Sequence, residues 1–444
     1  MGCAGHSQIK TPNMDLLASE GVRFSSAFTV CPICMPARAS FINGLYPHNH
    51  GMWTNAGQMP ADDETFFHHL QDSGYYVAYV GKSHYYPHGG LHMRDREDYM
   101  HARGIDYVHE TTGPWATTGT DSYMTDYWQQ KGLLNAFRDD YAKRRENGHR
   151  SVWPSPLPVE DFMDSYIGRR AVEFVNSYSQ DKPFCLFVGF GGPHEPWDAP
   201  GEYATMYNPA DAPPHIPPAE PGEWVTDHAA RRMRQRRIDG MTEEEIRKIR
   251  ANYYGKISLI DHWFGQIFDA LKQKGCWDDT LAVLWSDHGE MAGDHQRLHK
   301  SVFYDSSVRV PLIMRWPGQI SVGATSDTLA QIIDVYPTLL EAVGAEPSRR
   351  CFGQSLWPAL KGTSVKIRDV VFSEISSQGY HNIMARDDRY KYAMDNTGEG
   401  YMLYDVTEDP KEKSNLIGHT DFRKIEQEYR GRVLRFLLDT QCRL

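Results

Sequence analysis

The side chains able to do chemistry fall in a few short runs. Cys34-Met35-Pro36-Ala37-Arg38 sets a thiol four residues ahead of a guanidinium, with Gly44 six residues further on. Gly81-Lys82-Ser83-His84 pairs an ammonium with an imidazole, and Pro193-His194-Glu195-Pro196 pairs an imidazole with a carboxylate. Ser286-Asp287-His288-Gly289-Glu290 repeats that pairing, and Gly293-Asp294-His295 leads on to Lys300. A thiol is a nucleophile, histidines move protons, and lysines stabilise developing negative charge. Asp287 beside His288 is a candidate metal pair. Cys31 and Cys34 also form a C-x-x-C, which alone would suit a redox pair or half a zinc site. No second C-x-x-C exists, and the other cysteines, at 3, 185, 276, 351 and 442, are scattered.

These runs need elements to bring them together. Tyr75–Val80, Phe184–Phe190 and Thr280–Trp285 are β-rich or continuously apolar runs, and they end in Lys/His, His/Glu and Asp/His respectively. The apolar run at 184–190 reads as a strand covered on both faces. Helices are expected over Thr11–Glu20, Ala37–Leu45, Glu64–Ser73, Val159–Tyr178, Thr242–Lys274 and Ile332–Val343. The helix behind the cysteine loop would turn its positive end towards residue 34. Val22-Arg23-Phe24 and Val310–Trp316 read as further strands, whereas residues 85–158, with little periodicity, read as a long insertion of loops at a pocket rim. Alternating strands and helices predict an α/β fold with a large mixed, mainly parallel sheet flanked by helices. Ligands bind such sheets beyond the carboxyl ends of the strands, where the candidate residues converge.

Beyond a linker near 361–365 the pattern changes to short strands at Val370–Ser373, Asn382–Met394 and Met402–Val406, closed by a helix over Asp421–Leu438. The expected division is residues 1–362 as the catalytic domain and residues 363–444 as a small α+β subdomain. At 444 residues with 40% hydrophobic and 24% charged residues, the chain is long enough for both and has neither disordered nor collagen-like composition. A net charge of −11 argues against nucleic acid as a partner. No apolar run nears the roughly 20 residues that cross a bilayer, so no membrane role is expected. Seven cysteines, an odd and dispersed set, favour a reducing compartment. The N-terminus carries no signal-peptide pattern. The sequence as it stands therefore reads as cytoplasmic, with a periplasmic or secreted location as the alternative if a segment precedes it.

Taken together and in this order, the runs resemble the formylglycine-dependent sulfatase family of the alkaline phosphatase superfamily, over nearly the whole chain. Leu403-Tyr404-Asp405 with Asp409-Pro410 adds to the match. The resemblance implies that a maturation enzyme, either a formylglycine-generating enzyme or an anaerobic sulfatase-maturating enzyme, converts Cys34 to formylglycine, whose hydrate is the nucleophile. It implies Lys82 and Lys300 as sulfate clamps, Arg38 as the anchor of the hydrate, His84 as a base and His194 as the acid for the leaving oxygen. It implies Asp287 and His288 as ligands of a divalent metal, Ca²⁺ first and Mg²⁺ or Mn²⁺ as alternatives. Asp294 and His295 read instead as a helix cap and a packed neighbour. The arginines at 231, 232, 234, 236 and 237 read as a solvated helix face, with a polyanion contact as the alternative. The substrate is expected to be a small-molecule or carbohydrate sulfate ester.

One part of the family pattern is missing. Family members carry a buried strand ahead of the segment matching Gly2–His6, ending in one or two aspartates that complete the metal site. Asp15, at the start of a helix, has the wrong context to replace them. Either the sequence begins at an internal methionine of a longer protein, which is preferred, or a core strand and half the metal ligands are lost. The second reading predicts two open strand edges, uncovered apolar surface and a metal site of Asp287 and His288 alone. Two rival functions follow: a phosphonate monoester or phosphodiester hydrolase of the same superfamily, and an inactive anion- or glycan-binding protein.

Overall fold

The computed structural model describes residues 1–60, 63–238, 240–362, 366–377 and 379–441. Cys442 and linker positions 363–365 lie outside the described residues. The first half begins with α1 (Pro12–Ser19), β1 (Val22–Phe24), β2 (Ala27–Phe28), α2 (Cys34–Asn43) and α3 (Phe66–Asp72). Pro12 at the first helical position suits α1, because a proline there forfeits a donor that has no partner anyway. α2 starts three residues earlier than the sequence suggests, so Cys34 is itself its first residue. It ends at Gly44, whose left-handed φ of 71° closes the helix and whose missing Cβ leaves room for Tyr336 and Cys351. All ten residues of α2 are buried.

The next elements are β3 (Tyr76–Lys82), β4 (Tyr107–Thr111), α4 (Tyr123–Gln130), α5 (Leu134–Asn147), α6 (Met163–Ser177) and β5 (Phe184–Gly189). β4, α4 and α5 lie where only loops are expected. β4 pairs in parallel with β3, Lys82 opposite Thr111. The buried residues of α5 are Leu134, Phe137, Tyr141 and Arg144, a helical spacing that the arginine disguises as polar. Arg144 is tolerated inside because Asp140, three main-chain carbonyls and the face of Trp153 take up its guanidinium.

After α7 (Asp227–Arg234) comes α8 (Glu243–Gln273), opened by a reciprocal Thr242–Glu245 capping box. β6 (Ala282–Trp285), β7 (Leu312–Arg315), β8 (Ala324–Ser326), β9 (Ala330–Gln331) and α9 (Val335–Val343) complete this part. The expected single mainly parallel sheet is divided. β4-β3-β5 is wholly parallel, β6-β7-β1-β8 is antiparallel except for β1 with β8, and β2 pairs with β9.

β5 and β6 are therefore both edges. Phe184–Val188, expected to be covered on both faces, are all partly exposed, and so are three of the four residues of β6. Rings meet between the two strands: Phe187 meets Trp285 at 6.2 Å, and Phe41 of α2 stacks on Trp285 at 3.5 Å.

The C-terminal part is an antiparallel meander of β10 (Val371–Ser377), β11 (Tyr380–Arg386), β12 (Tyr390–Asp395) and β13 (Gly400–Asp405), backed by α10 (Arg423–Thr440). The single strand expected over 382–394 is a hairpin, because Asp387 accepts from the amides of Arg389 and Tyr390 and turns the chain. The meander grips the cysteine loop. The Glu374 amide bonds the Val30 carbonyl at 2.8 Å, and its carboxylate meets His48 at 2.7 Å.

Candidate active site

Cys34 sits at the amino end of α2, where unpaired amides and the helix dipole favour an anion. The Met35 amide is capped by Asn55 Oδ1 at 3.0 Å. Arg38, one turn on, donates Nε to Asp287 Oδ2 at 2.8 Å and a terminal nitrogen to the Lys82 carbonyl at 2.7 Å. A single guanidinium thus ties the end of β3 to the turn after β6, directly beneath Cys34. The end of β3 can come this close to β5 because Gly81, at φ 100°, has no Cβ to strike the Gly189 carbonyl.

His288 faces the thiol. Its Nδ1 donates to the Gly289 carbonyl at 2.8 Å, which turns Nε2 towards Cys34 Sγ, 3.0 Å away; burial would lower its pKa, but Asp287 and Cys34 outweigh that and raise it, favouring the charged ring. Asp287 Oδ1 is 3.7 Å from the same nitrogen. Burial alone would raise the Cys34 pKa, but the charges of Lys300, Lys82 and His288 outweigh it and hold the thiol well below its usual range. Burial would likewise raise Asp287; His288 and Arg38 reverse that and bring it to about 2. His84, in a left-handed conformation at φ 64°, is pushed down to about 4 by burial, partly offset by Cys34. A neutral imidazole at neutral pH is the form that accepts a proton. Lys82 is also lowered by burial.

On the opposite wall, His194 Nε2 is 2.8 Å from Lys300 Nζ, and its Nδ1 is 2.7 Å from the Glu195 carbonyl. The Glu195 carboxylate lies 2.9 Å from His194 Nδ1, 3.3 Å from His299 Nδ1 and 3.8 Å from Lys300. Burial opposes ionisation of Glu195, yet His194, Lys300 and His299 keep it well below the ordinary carboxylate range. The loop is anchored from α8, where buried Lys256 donates to the His194 carbonyl at 2.6 Å and to Asp198 at 2.7 Å. His299 and Ser301 flank Lys300 with φ of 67° and 75°, a strained stretch typical of functional loops.

The structure brings Cys34, Arg38, Lys82, His84, His194, Asp287, His288 and Lys300 into one network of contacts and charge interactions. Glu195, His299, Lys256 and Asn55 join them without having been foreseen. Glu195 stood beside a marked histidine, but Asn55 acts on a main-chain amide, Lys256 acts on main-chain carbonyls and the distant Asp198, and neither carries a sequence signal. Asp294 binds Arg250, Ser306 and the Ile216 amide, and His295 stacks on Tyr304, as expected of structural neighbours. The arginine cluster is not one solvated face. Arg232 is buried against Asp395 between Tyr380 and Tyr401, and Arg237 binds Glu220, because α7 packs on β13. Arg231 and Arg234 remain exposed. Cys31, a free thiol like Cys34, is raised by burial and takes no part in the cluster.

The chain as a whole has matches among known proteins. The profile described as Sulfatase fits residues 1–345. The chain belongs to the sulfatase family. In this sulfatase, residues 293–437 also match the C-terminal region of N-sulphoglucosamine sulphohydrolase. The arylsulfatase of Clostridium perfringens is 27% identical, with 96% of this chain and 88% of that protein aligned. The multifunctional alkaline phosphatase superfamily protein PehA of Trinickia caryophylli is 29% identical over 97% and 90% of the two chains. The solved phosphonate monoester hydrolase of Agrobacterium radiobacter superposes with a TM-score of 0.79 at 25% identity, covering 99% of this chain and 93% of its own, which gives the fold as alkaline phosphatase-like. Among the described residues no helix is long and apolar enough to cross a membrane.

The divalent metal that the family implies would have to be held by the donors present here. A hard cation takes six to eight oxygen ligands. Among the described residues the cluster around Cys34 holds only Asp287 and His288. One Asp287 oxygen is already bound by Arg38, and the other accepts from the His288 amide at 3.0 Å. These two residues do not fit Ca²⁺ or Mg²⁺ by themselves. A second group, Glu195, Glu290 and His299, lies close by, but Lys300 and His194 already balance its charge.

Proposed function

We propose that this sulfatase-family enzyme hydrolyses sulfate esters through the hydrate of a formylglycine made from Cys34. The observation that carries this reading is the convergence of positive charge on Cys34. Lys82, Lys300 and His288 outweigh the cost of burying an anion there. The Cys34 sulfur stands where the hydrate oxygens of the matured residue would sit.

One hydrate hydroxyl, its proton released to solvent under the pull of the surrounding positive charges, attacks the ester sulfur as an oxyanion, and the S–O bond to the substrate alcohol breaks. His194, oriented by the donation of Nδ1 to the Glu195 carbonyl, gives a proton from Nε2 to the departing oxygen once Lys300, which donates to that nitrogen in the free protein, turns to the sulfuryl oxygens. Lys82 and Lys300 balance the charge on the sulfuryl oxygens. His84, kept neutral by burial, then takes the proton of the second hydroxyl. The C–O bond to the sulfate breaks, sulfate leaves with that electron pair, and the aldehyde returns to be hydrated again. Arg38 holds the nucleophile loop and Asp287 in register throughout. On this reading residues 1–362 carry the chemistry and residues 363–444 brace the cysteine loop through Glu374.

The likeness to the phosphonate monoester hydrolase favours one second reading, hydrolysis of phosphonate monoesters at the same tetrahedral-anion site. Co-expression with a maturation enzyme, mass spectrometry of the Cys34 peptide, and turnover of p-nitrophenyl sulfate against a phosphonate monoester decide between them. Converted Cys34 with faster sulfate turnover is expected. Converted Cys34 with faster phosphonate turnover would select the second reading, and no turnover of either ester would leave an anion-binding protein. A panel of sulfated sugars, compared with small aryl and alkyl sulfates, then resolves the substrate class.

A further inference from the structure

The structure assigns a positioning role to Glu110, which clamps the left-handed turn that presents His84 to residue 34. The assignment rests on the reading of His84 as the base that releases sulfate. Glu110 lies on β4 in parallel register with Gly81 of β3, so it stands beside the strand end that carries Lys82 and His84. Its two oxygens are divided between the two sides of His84. The Ser83 hydroxyl meets Oε1, and the Tyr86 hydroxyl donates to Oε2 at 2.6 Å. One carboxyl group thus brackets residues 83–86. His84 between them has a φ of 64°, a conformation that a non-glycine residue keeps only where its surroundings over-determine it. A second route runs through rings. The Tyr86 ring meets His88 edge-on at 5.2 Å, and His88 packs on His84 at 5.0 Å. Fixing Tyr86 therefore braces the imidazole as well as the main chain beside it.

Glu110 is only 2% exposed, and both of these bonding partners are neutral hydroxyls. Burial lifts its pKa to about 8; the Tyr86 bond opposes the rise, Glu97 adds to it and Arg103 opposes it. The acid form therefore prevails at neutral pH. Its Oε2 accepts from Tyr86, and the proton on Oε1 is donated to Ser83 Oγ, a hydroxyl oxygen that accepts as well as donates. A glutamine amide reproduces that pattern, with its NH₂ towards Ser83 and its carbonyl towards Tyr86. Such a neutral clamp fixes the base without adding negative charge beside a site that must hold a sulfuryl anion. Its effect falls on one step. The covalent sulfate on residue 34 forms without His84 and leaves only when His84 takes the proton of the second hydroxyl, so a displaced His84 slows release and not formation.

The test has two arms. In the full chain with Cys34 unmodified, crystal structures of the parent, Glu110→Ala and Glu110→Gln compare residues 83–86. His84 should leave its left-handed conformation in Glu110→Ala and keep it in Glu110→Gln. In the matured protein, Glu110→Ala should lower kcat on p-nitrophenyl sulfate at least about tenfold, though less than His84→Ala does. KM should fall in step, so that kcat/KM stays within about twofold of the parent. A burst of p-nitrophenol and a sulfated residue-34 peptide, read by mass spectrometry, should accompany that loss, and Glu110→Gln should recover most of it. Circular dichroism establishes that each variant is folded. If Glu110→Ala is not, Tyr86→Phe, which removes one of the two bonds, replaces it in both arms. An unmoved His84 in Glu110→Ala, an equal displacement in Glu110→Gln, or a fall in kcat/KM without the sulfated peptide would overturn the assignment. If the parent turns over no sulfate ester, the sulfatase reading falls by itself, and the first arm decides whether Glu110 holds the turn.

Discussion

The two walls of the site are built on different plans. The nucleophile wall consists of Cys34 on the first turn of α2 and Asp287–His288 at the end of β6, locked by an arginine that bonds both a carboxylate and a strand-end carbonyl. The acid wall consists of two loops, 191–198 and 292–301, whose charges face one another and whose anchor is a lysine reaching up from α8. The first wall is fixed by the fold. The second is fixed by electrostatics and is correspondingly open to pH. Rigid elements hold the group that must exist in one geometry, and loops hold the group that must change protonation state.

The sharpest break is at the nucleophile. Cys34→Ala leaves the charged ring without a reacting atom, and sulfate-ester turnover should fall by at least about a thousandfold, read as kcat at saturating substrate. The acid wall should fail in a different way. Lys256→Met removes one partner of a fully buried ion pair and strands Asp198, which costs about 3–5 kcal/mol in denaturant unfolding. A variant that unfolds no more readily than the parent would show that Lys256 does not anchor the loop. His194→Ala should lower kcat/KM on an alkyl sulfate by about a hundredfold and much less on p-nitrophenyl sulfate, whose leaving group needs no proton. Equal losses on both substrates would remove His194 from the acid role.

The smallest expected effect separates the walls by pH. His299 is raised above its ordinary value because Glu195, with Glu290 behind it, outweighs burial and the repulsion of Lys300. A raised folded value means that its stabilisation is complete below the unfolded pKa of about 6.5 and is lost as pH rises through the folded value. Glu195 is depressed, so its contribution is complete above about 4.3 and disappears as pH falls through its folded value. His299→Gln should therefore cost on the order of 1 kcal/mol between those limits and progressively less towards alkaline pH, measured as the difference in melting temperature from the parent. A cost that grows with pH would reverse this account.

The order of chemical residues along the chain was legible in the sequence: Lys82, His84, His194, Asp287 and His288 stand at or just beyond strand ends marked by an abrupt change from apolar to polar, and Cys34, Arg38 and Lys300 stand in recognisable short runs. The helix behind Cys34 and the long α8 were readable from capping and periodicity. The elements between 107 and 147 were not. Arg144 buries a charge on the inner face of its helix, and β4 alternates tyrosine, histidine and threonine, so hydrophobic period gave no cue. Lys256 was unreadable for a related reason: its partners are carbonyls and an aspartate far away in sequence. The division of the sheet escaped because pairing is a property of strand edges, and apolar content does not report it.

That division has a mechanical meaning. His194 follows β5 and Asp287 follows β6, and no ladder of main-chain hydrogen bonds joins those two strands among the described residues. The spacing of proton donor and nucleophile wall accordingly rests on side-chain contacts: Arg38, which ties the Lys82 carbonyl to Asp287, and the packing of Phe41, Phe187 and Trp285. The seam between the two sheets is filled in part by those three aromatic rings. Volume changes at those rings should widen or narrow it without touching any group that reacts.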